Sequence, residues 1–522
     1  MTDMVQQEGS TQKKPKWILI VAIIAIVLIA GIFTVQALVS TSTKEDYFLA
    51  EKSTFEQLQE TFESRFQDEL AWKEHTKEHA IESTYEITGQ TNDLGMGEAG
   101  PGQIINNANI TVDTALDTSN QKAAANISAS MAGIELNGIE TYIEENDVYI
   151  GLPFLDDIIQ FNGDDLGKVL QAADPYYFTG EENLDFSTLF NEGPLPEEDI
   201  EYINEEYVQY LYEELPEEAF EGEKEQITVG SNDVNTSKIS FNLSEDETKI
   251  ILKNLLNKMA QDEKLQTILI DQISYMEFVD NTVADDQIDS LKEAFTEALN
   301  QAATNMEQVA FPDGFQSTIW INNHIIVQRE LDFQVEYQGE TIELTIDGTN
   351  EQTDENQTMT YNITLNDGYT EETATVQLDL TDNDGETEDI ISFSASDVAL
   401  TIELNQEKQD DGNKNFERSI SVTEFGVPVF ALYWLGDAHY EKDQMTVDHT
   451  FYAEDGFTFN QDTLSIFVTE EGTTTDNIDI PSSDQVTDLG DMTGDEIFDY
   501  LETDVADQLD IWLNSFMGPG MF

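Results

Sequence analysis

A run of apolar residues near the start of the chain, Trp17–Val39, constrains the fold more than any other feature. Only Thr34 and Gln36 in this run are clearly polar. At ~1.5 Å per residue, a helix of this length spans ~34 Å, enough to cross a hydrocarbon layer of ~30 Å. The run is longer than the apolar core of ~7–15 residues that a cleaved signal peptide carries. It therefore predicts one N-terminal transmembrane helix that is kept as an anchor.

The charges on either side of this run predict its orientation. Lysines precede it and acidic residues follow it, which places residues 1–16 in the cytoplasm and 40–522 outside. The flanking charges are Lys13, Lys14, Lys16, Glu45 and Asp46. The predicted location is thus the cell membrane, with a cytoplasmic N-terminus and an extracytoplasmic bulk. Cleavage after the small residues Val35 and Ala37 is the alternative.

The composition is strongly acidic but rich in aromatic residues. Asp and Glu number 107 against 22 Lys and Arg, which gives a formal net charge of −85. Such an excess opposes collapse, yet 28 Phe and 18 Tyr supply enough apolar area for packed cores. We interpret the acidity as adaptation to high salt, where counter-ions screen repulsion; capture of cations or of a basic partner is the alternative. Nucleic acid is excluded as a partner, because phosphate binding needs clustered Lys and Arg.

The chain contains no cysteine. Disulfides, thiolate metal sites, cysteine nucleophiles and lipid attachment through an N-terminal cysteine are therefore all excluded. A folded exported part must be stabilised by its apolar cores or by ions.

The periodicity of apolar residues predicts an alternation of helices and strands. The predicted class is α+β, with antiparallel, curved or flat β-sheets and packed helices after one N-terminal transmembrane helix. The predicted regions are a cytoplasmic tail (1–16), the transmembrane helix (17–39), a helical stalk (40–80), a first β region (81–163), a mainly helical region (164–310), a second β region (311–480) and a C-terminal helix (481–522).

Local signals support this division. Ser42, Ser53, Ser244 and Thr493 each have a Glu three residues later, the capping-box spacing that begins helices. Tight turns are predicted at Asn366-Asp367-Gly368, Asn383-Asp384-Gly385, Asp411-Gly412 and Asp455-Gly456. The stretches 140–150 and 317–327 share a pattern, so the two β regions are interpreted as a divergent duplication with a cleft between them.

No motif in the sequence predicts a catalytic centre. His75 and His79 stand one helical turn apart, but the Glu that a zinc protease needs after the first His is missing. Ser119 and Lys122 have the spacing of penicillin-interacting enzymes but lie in a predicted turn, without the partner motifs. The pairs Asp437/His439 and Asp448/His449 have no nucleophile joined to them by pattern. These observations favour a protein that is not an enzyme and has no cofactor.

Besides the zinc spacing of His75 and His79, a crowded acidic turn is a candidate metal site. Asp382, Asp384 and Glu386 lie within five positions and could offer oxygen ligands to calcium. An EF-hand is excluded, because Gly385 at the sixth place would put Leu380 first and Ile391 twelfth. A β-turn on an acidic protein is the simpler interpretation of the same residues.

Three segments resemble an uncharacterised family of single-span envelope proteins from Gram-positive, spore-forming bacteria. They are Lys44–Glu51, the strand pair Trp320–Glu330, and Ile478–Pro481 leading into Met492–Glu496. This resemblance implies a membrane anchor but no activity and no functional residues. The alternation of sheet and helix is also similar, more loosely, to LolA-like half-barrel carriers, which hold acyl chains in an apolar cleft. The chain differs from them in having no lipobox cysteine and two β regions.

The predicted function is that of a membrane-anchored, non-enzymatic extracytoplasmic protein adapted to high salt. Its predicted partners are the membrane, through the anchor, and a lipid or cell-wall ligand or an envelope protein. A hydrolase of cell-wall polymers and a structural or adhesive surface protein are the alternatives.

Overall fold

A computed structural model describes residues 42–92, 101–131, 134–190, 196–269, 285–353, 355–409, 412–481 and 486–517. The predicted tail 1–16 and the predicted transmembrane helix Trp17–Val39 lie outside these ranges. Of the helices that are described, none is both long enough and apolar enough to cross a membrane.

The helices are α1 (Thr43–Arg65), α2 (Gln67–Glu78), α3 (Pro101–Asn106), α4 (Leu166–Ala173), α5 (Glu197–Ile203), α6 (Gln209–Glu214), α7 (Glu245–Gln261), α8 (Asp285–Asn305), α9 (Gly494–Asp499) and α10 (Ala506–Met517). Short π-helical segments join α5 to α6 and α9 to α10. Capping boxes begin α7 and α9, with Ser244 and Thr493 as predicted. Ser42 caps α1, whereas Ser53 lies inside that helix.

The strands are β1 (Ala80–Gln90), β2 (Asn109–Asp117), β3 (Lys122–Met131), β4 (Ile134–Glu144), β5 (Asp147–Gly151), β6 (Ile158–Asn162), β7 (Phe220–Val229), β8 (Asn232–Leu243), β9 (Val309–Ala310), β10 (Phe315–Asn322), β11 (Ile325–Tyr337), β12 (Glu340–Gln352), β13 (Asn356–Asn366), β14 (Glu371–Asn383), β15 (Glu386–Ala395), β16 (Val398–Lys408), β17 (Lys414–Glu424), β18 (Val427–Tyr440), β19 (Gln444–Glu454), β20 (Ser465–Thr475) and β21 (Val486–Asp488).

All 21 strands belong to one sheet. The pairing runs β7, β8, β10, then in chain order from β11 to β20, then β1 to β6 and finally β21, while β9 pairs with the end of β11. Neighbours are antiparallel except β6 and β21, which are parallel. Tight turns join most neighbours. The predicted turns at Asp367-Gly368 and Asp384-Gly385 are among them, because glycine accepts the left-handed conformation that such turns need.

The predicted α+β fold, in which the two β regions could form one sheet or two, is wrong. β1 pairs with β2 on one side and with β20 on the other, so both predicted β regions form one sheet. The physical reason is that each region by itself would leave an open edge of unpaired N–H and C=O groups. Alternation in the sequence identifies strands but does not identify distant neighbours. No cleft therefore separates two sheets across this junction.

Helices α1 and α2 form one long element, the rod, that crosses the strands. Tyr47 Oη lies 2.8 Å from Ser317 Oγ on β10, and His75 Nε2 lies 3.0 Å from Thr474 Oγ1 on β20. The helical rise puts Tyr47 and His75 ~42 Å apart, close to the ~48 Å of the ten strand spacings between β10 and β20. The rod is therefore nearly perpendicular to the strands.

Apolar cores lie at three places along the sheet. The largest packs α6, α7 and α8 and the start of the rod against β8, β10 and β11, and includes Phe48, Leu256 and Ile319. A second core joins α4 and α9 to β5 and β6 around Phe161 and Ile497. A third, small core lies beneath α2 around Phe416.

Candidate functional site

The predicted metal ligands do not converge. Asp382 pairs with Arg65 of the rod, with 2.8 Å between carboxylate and guanidinium. Asp384 occupies the left-handed position of the β14–β15 turn, with φ 55°. Glu386 begins β15, next to that turn. In the described part of the chain, no three His, Asp or Glu side chains are grouped so as to hold a metal ion.

The histidines and the Ser-Lys pair have structural contacts instead of a shared site. The rings of His75 and His79 stack with centroids 4.2 Å apart. Ser119 donates to the carbonyl of Lys77, and Lys122 pairs with Glu144. These contacts hold turns and strand ends in place.

His449, which the sequence pairs with Asp448, is instead the centre of a chain of hydrogen bonds to partners that no sequence pattern indicates. The indole N–H of Trp434 donates to His449 Nδ1 at 3.0 Å, and His449 Nε2 lies 3.2 Å from Glu470. The hydroxyl of Tyr85 donates to the other oxygen of Glu470 at 3.0 Å. Burial, followed by the charge of Glu470, raises the pKa of Tyr85 to about 12. These hydrogen bonds link β18, β19 and β20 to β1, and so connect strands that are hundreds of residues apart in the sequence.

Ion pairs fix the rod to the sheet. Glu51 pairs with Arg329 of β11 in a fully buried contact. Burial raises the pKa of Glu51, although the guanidinium beside it opposes that shift. Arg65 contacts Asp389 at 2.9 Å. These partners are hundreds of residues apart, so no local pattern reveals them.

Glu69 extends this series with two basic partners. It accepts hydrogen bonds from Lys414 and from Arg418, the latter at 2.8 Å. Burial would raise its pKa, but the hydrogen bond and charge of Lys414 and the hydrogen bond of Arg418 hold it below the usual 4.5. Glu69 is therefore ionised and paired at neutral pH.

The other face of the sheet carries an open acidic groove of about 510 Å³. Glu386 lies directly opposite Glu407, and Asp437 opposite Asp448. Like charges in such pairs repel each other and lower the stability of a sheet. Most of the acidic side chains that line this groove are exposed, and we treat it as a surface feature.

The largest core is filled. Its cavity, lined by Leu215, Phe241, Ile251 and Phe333, measures about 20 Å³. That space is about the size needed for one water molecule and far below that of an acyl chain. This finding contradicts the predicted carriage of an apolar ligand in a cleft of the LolA-like kind.

An apolar surface does lie open on the rod side of the sheet. We call it the uncovered face: two rows of directly paired side chains on β14 to β18. The rows are Val376, Phe393, Leu400, Val422, Phe430 and Leu378, Ile391, Ile402, Ile420, Leu432. Phe393, Ile420, Phe430 and Leu432 are 42–46% exposed. The rod covers the other half of the same strands, where it meets Asp389 and Lys414.

The turns at the two ends of these strands differ in chemistry. At the end nearer the rod the turns are polar, as in Asp384-Gly385 and Glu441-Lys442-Asp443. We call this the polar edge. The opposite ends carry aromatic side chains, and we call them the aromatic edge: Tyr369, Phe425, Phe457 and Phe459. Tyr369 is 87% exposed, Phe425 72% and Phe457 86%.

Two turns of the aromatic edge share one motif and one geometry. Asp367-Gly-Tyr-Thr370 joins β13 to β14, and Asp455-Gly-Phe-Thr458 begins the connection from β19 to β20. In each, the Asp carboxylate accepts from the backbone N–H of the aromatic residue (3.0 and 2.9 Å) and of the Thr (2.8 and 2.7 Å). The glycines have φ of 80° and 72°. The motif thus holds an aromatic ring out into solvent twice.

A third turn of this edge, between β17 and β18, also exposes an aromatic side chain, but it does so with a strained backbone. Phe425 has φ 52° in the β17–β18 turn, at a position where Asn, Asp or Gly is usual. A left-handed residue other than glycine costs ~1 kcal/mol or more, and several other described turns, including the one at Asp384, carry the same conformation. The N–H of Phe425 donates to the carbonyl of Asp397 at 2.7 Å, which joins this turn to the β15–β16 turn. The repeated Asp-Gly-aromatic-Thr was the sequence signal that could have located this edge.

The backbone N–H groups of Phe457, Phe459 and Thr458 hold the pKa of Asp455 well below its usual range. Its carboxylate therefore stays charged while it shapes the loop. An edge of this kind, with rings outermost and charged groups one layer behind, fits a boundary between water and an apolar phase.

No protein-family model matches the sequence, and no curated protein matches it. Solved structures that it is similar to include OccAB3 of Acinetobacter baumannii (5% identity, TM-score 0.24, covering 76% of this chain and 98% of that one). OccK11 (OpdR) of Pseudomonas aeruginosa has 5% identity and a TM-score of 0.23, covering 76% and 94%. A BenF-like porin from Pseudomonas fluorescens Pf-5 has 7% identity and a TM-score of 0.24, covering 76% and 98%. With TM-scores this low, we assign no function from these structures.

The fold and the filled core correct the predicted function. The prediction was a membrane-anchored, single-pass, non-enzymatic extracytoplasmic protein adapted to high salt, located in the cell membrane with a cytoplasmic N-terminus. The described part of the chain forms one 21-stranded sheet instead of the α+β fold on which this prediction was based, and its largest core has no room for an acyl chain. The prediction is therefore wrong, and the wall-hydrolase and adhesive alternatives fall with it. Association with a membrane is the part of the partner prediction that stands.

Proposed function

We propose that the protein works at a lipid membrane and contacts the bilayer through its aromatic edge. The observation that carries this proposal is the pair of Asp-Gly-aromatic-Thr turns that expose Tyr369 and Phe457 almost completely. A lipid partner belongs to the same proposal.

Exposed rings at turn tips are unfavourable in water and favourable at the bilayer interface. Burying a Phe side chain gains ~1.5–3 kcal/mol, and Tyr and Trp concentrate at the level of the lipid headgroups. Tyr369, Phe425 and Phe457 lie on turns at the same ends of neighbouring strands, so one approach of the sheet brings all three to the membrane. The polar edge has no comparable side chains in its described turns.

The absence of cysteine makes a direct test simple. Single cysteines at Tyr369→Cys, Phe425→Cys and Phe457→Cys carry a polarity-sensitive fluorophore, in the full chain reconstituted into phosphatidylcholine vesicles. Asp384→Cys and Lys442→Cys on the polar edge are the matched controls. The Asp turns survive the changes at 369 and 457, because their hydrogen bonds go to backbone N–H groups.

We expect emission at the three aromatic-edge sites to shift to shorter wavelength in vesicles and to be quenched by brominated lipid, while the two controls report water. If the fluorophore at all five sites shows the emission it has in water while the protein remains bound to the vesicles, the aromatic edge does not contact the bilayer. If the polar-edge sites shift instead, the orientation is the reverse of that proposed.

A further inference from the structure

The uncovered face and the rod together line an apolar groove. One side of this groove is a flank of the rod, along which Phe62, Phe66 and Leu70 recur at helical spacing. Asp68, on the opposite flank, pairs with Lys408 near the polar edge at 3.7 Å. Phe66 lies under the guanidinium of Arg418, with 5.0 Å to its ring centroid, on the side of the uncovered face. The uncovered face and this flank of the rod are therefore the two sides of one groove, which runs parallel to the rod.

The dimensions of this groove match a helix. Apolar side chains of the same face continue to Leu365 on β13 and Ile466 on β20, each 40% exposed. From β13 to β20 this apolar face extends over ~34 Å, which is the length of a helix of about 22 residues. Successive residues on one side of a strand are ~7 Å apart, so Ile420 and Val422 lie one helix width from the rod. Among the described residues, one helix already crosses these strands and a second would fit beside it.

The charge around the groove determines which helix would fit. Exposed carboxylates flank it on both sides: Glu63 on the rod, and Glu372 and Glu424 beyond the apolar rows. The whole chain carries −85, so a second copy is repelled and a basic partner is attracted. We propose that the groove docks an amphipathic helix of a partner protein, with an apolar stripe toward the sheet and Lys or Arg on its flanks. This proposal uses residues separate from the aromatic edge and does not depend on membrane contact.

The test uses a labelled leucine–lysine peptide of about 22 residues in amphipathic helical order. A scrambled peptide has the same composition and charge but no apolar face. Binding is measured by fluorescence anisotropy at raised salt, with the full chain in phosphatidylcholine nanodiscs and empty discs as the blank. The groove variant is Ile420→Gln with Leu432→Gln, two directly paired exposed residues. Its control, Thr401→Gln with Ser421→Gln, is a direct pair on the other face.

We expect the amphipathic peptide to bind, the groove variant to lose about tenfold or more in affinity, and the control to bind as the unchanged chain does. Disulfide trapping gives a second measurement: Phe393→Cys should capture a cysteine-bearing peptide, and Ser394→Cys on the other face should not. Equal binding of the scrambled peptide, or an unchanged affinity in the groove variant, would overturn the proposal. So would occupation of the face by a fluorescent fatty acid without any peptide binding.

Discussion

Glu51, Arg65 and Glu69 carry the ionic contacts between the rod and the sheet. Their partners lie on β11, β14, β15 and β17, so the three residues fix the position of the rod along its length. A buried ion pair contributes little net stability compared with apolar residues of the same size, but breaking it is costly. The pairs therefore specify where the rod lies more than they strengthen the fold.

The first prediction concerns Glu69 and pH. Its pKa is lowered in the folded state, so the stability it contributes is present above the unfolded value of 4.5 and is lost as pH falls through the folded value. We expect Glu69→Gln to lower the free energy of unfolding by about 1–3 kcal/mol at neutral pH, because Lys414 and Arg418 lose a charged partner.

Urea unfolding between about pH 3 and pH 7 measures this effect. The difference in the free energy of unfolding between the unchanged chain and Glu69→Gln should become smaller as the pH falls. Glu74→Gln, an exposed residue on the same helix, should change stability by less than about 0.5 kcal/mol. A difference that stays constant over the whole range would contradict the assigned role of the carboxylate.

At the scale of elements, glycines opposite aromatic rings let the rod approach the sheet. Gly348 is paired with Tyr361 and Gly436 with Phe416, and each ring covers its glycine. A side chain at either position would lift the ring toward the rod. At these two positions the sheet therefore needs a residue without Cβ.

The second prediction follows from Gly436. A Cβ there would overlap the ring of Phe416, so we expect Gly436→Ala to lower stability by about 1–3 kcal/mol through overpacking. Gly494→Ala, in the first turn of α9, meets open space and should leave stability unchanged or slightly higher. Thermal unfolding of both variants checks the difference. Equal melting temperatures would show that the ring moves aside without cost.

Elements were predictable from the sequence to the extent that they depend on near neighbours. The capping boxes at Ser244 and Thr493 and the tight turns at Asp367-Gly368 and Asp384-Gly385 are local signals, and the structure confirms them. Asp455-Gly456 instead begins a ten-residue connection, and Asp411 lies outside the described residues. The pairing of Ile81 with Thr474 and the contact of Glu51 with Arg329 join distant parts of the chain. No period of the sequence encodes such neighbours, so the single sheet and the groove beside the rod could not be predicted.

At the scale of the whole molecule, three cores separated along one long sheet imply unfolding in parts. Twenty strands follow one another side by side over ~90 Å, and each core contacts only a few of them. Stability in such a structure depends on neighbouring strands more than on distant ones. Strands β14 to β16 lie between cores and should open most easily.

The third prediction uses one core residue from each end. We expect Leu256→Ala to lower the free energy of unfolding by ~2–5 kcal/mol and to speed amide hydrogen exchange in α7, β8 and β10. Ile497→Ala should do the same in β5, β6 and α9. Both side chains are fully buried. Hydrogen exchange with mass spectrometry locates each effect; faster exchange along the entire sheet in either variant would mean that the molecule unfolds as one unit.

The junction of β1 with β20 has a consequence for the order of events during synthesis. β1 leaves the ribosome early, but its second partner follows about 375 residues later. At ~5–20 residues per second, β1 waits roughly 20–75 s with one edge unpaired. During that interval the nascent chain offers a template on which another chain could aggregate. A chaperone that shields strand edges would therefore matter most for this protein before its last strands are made, and truncation before Ser465 should lower its soluble yield.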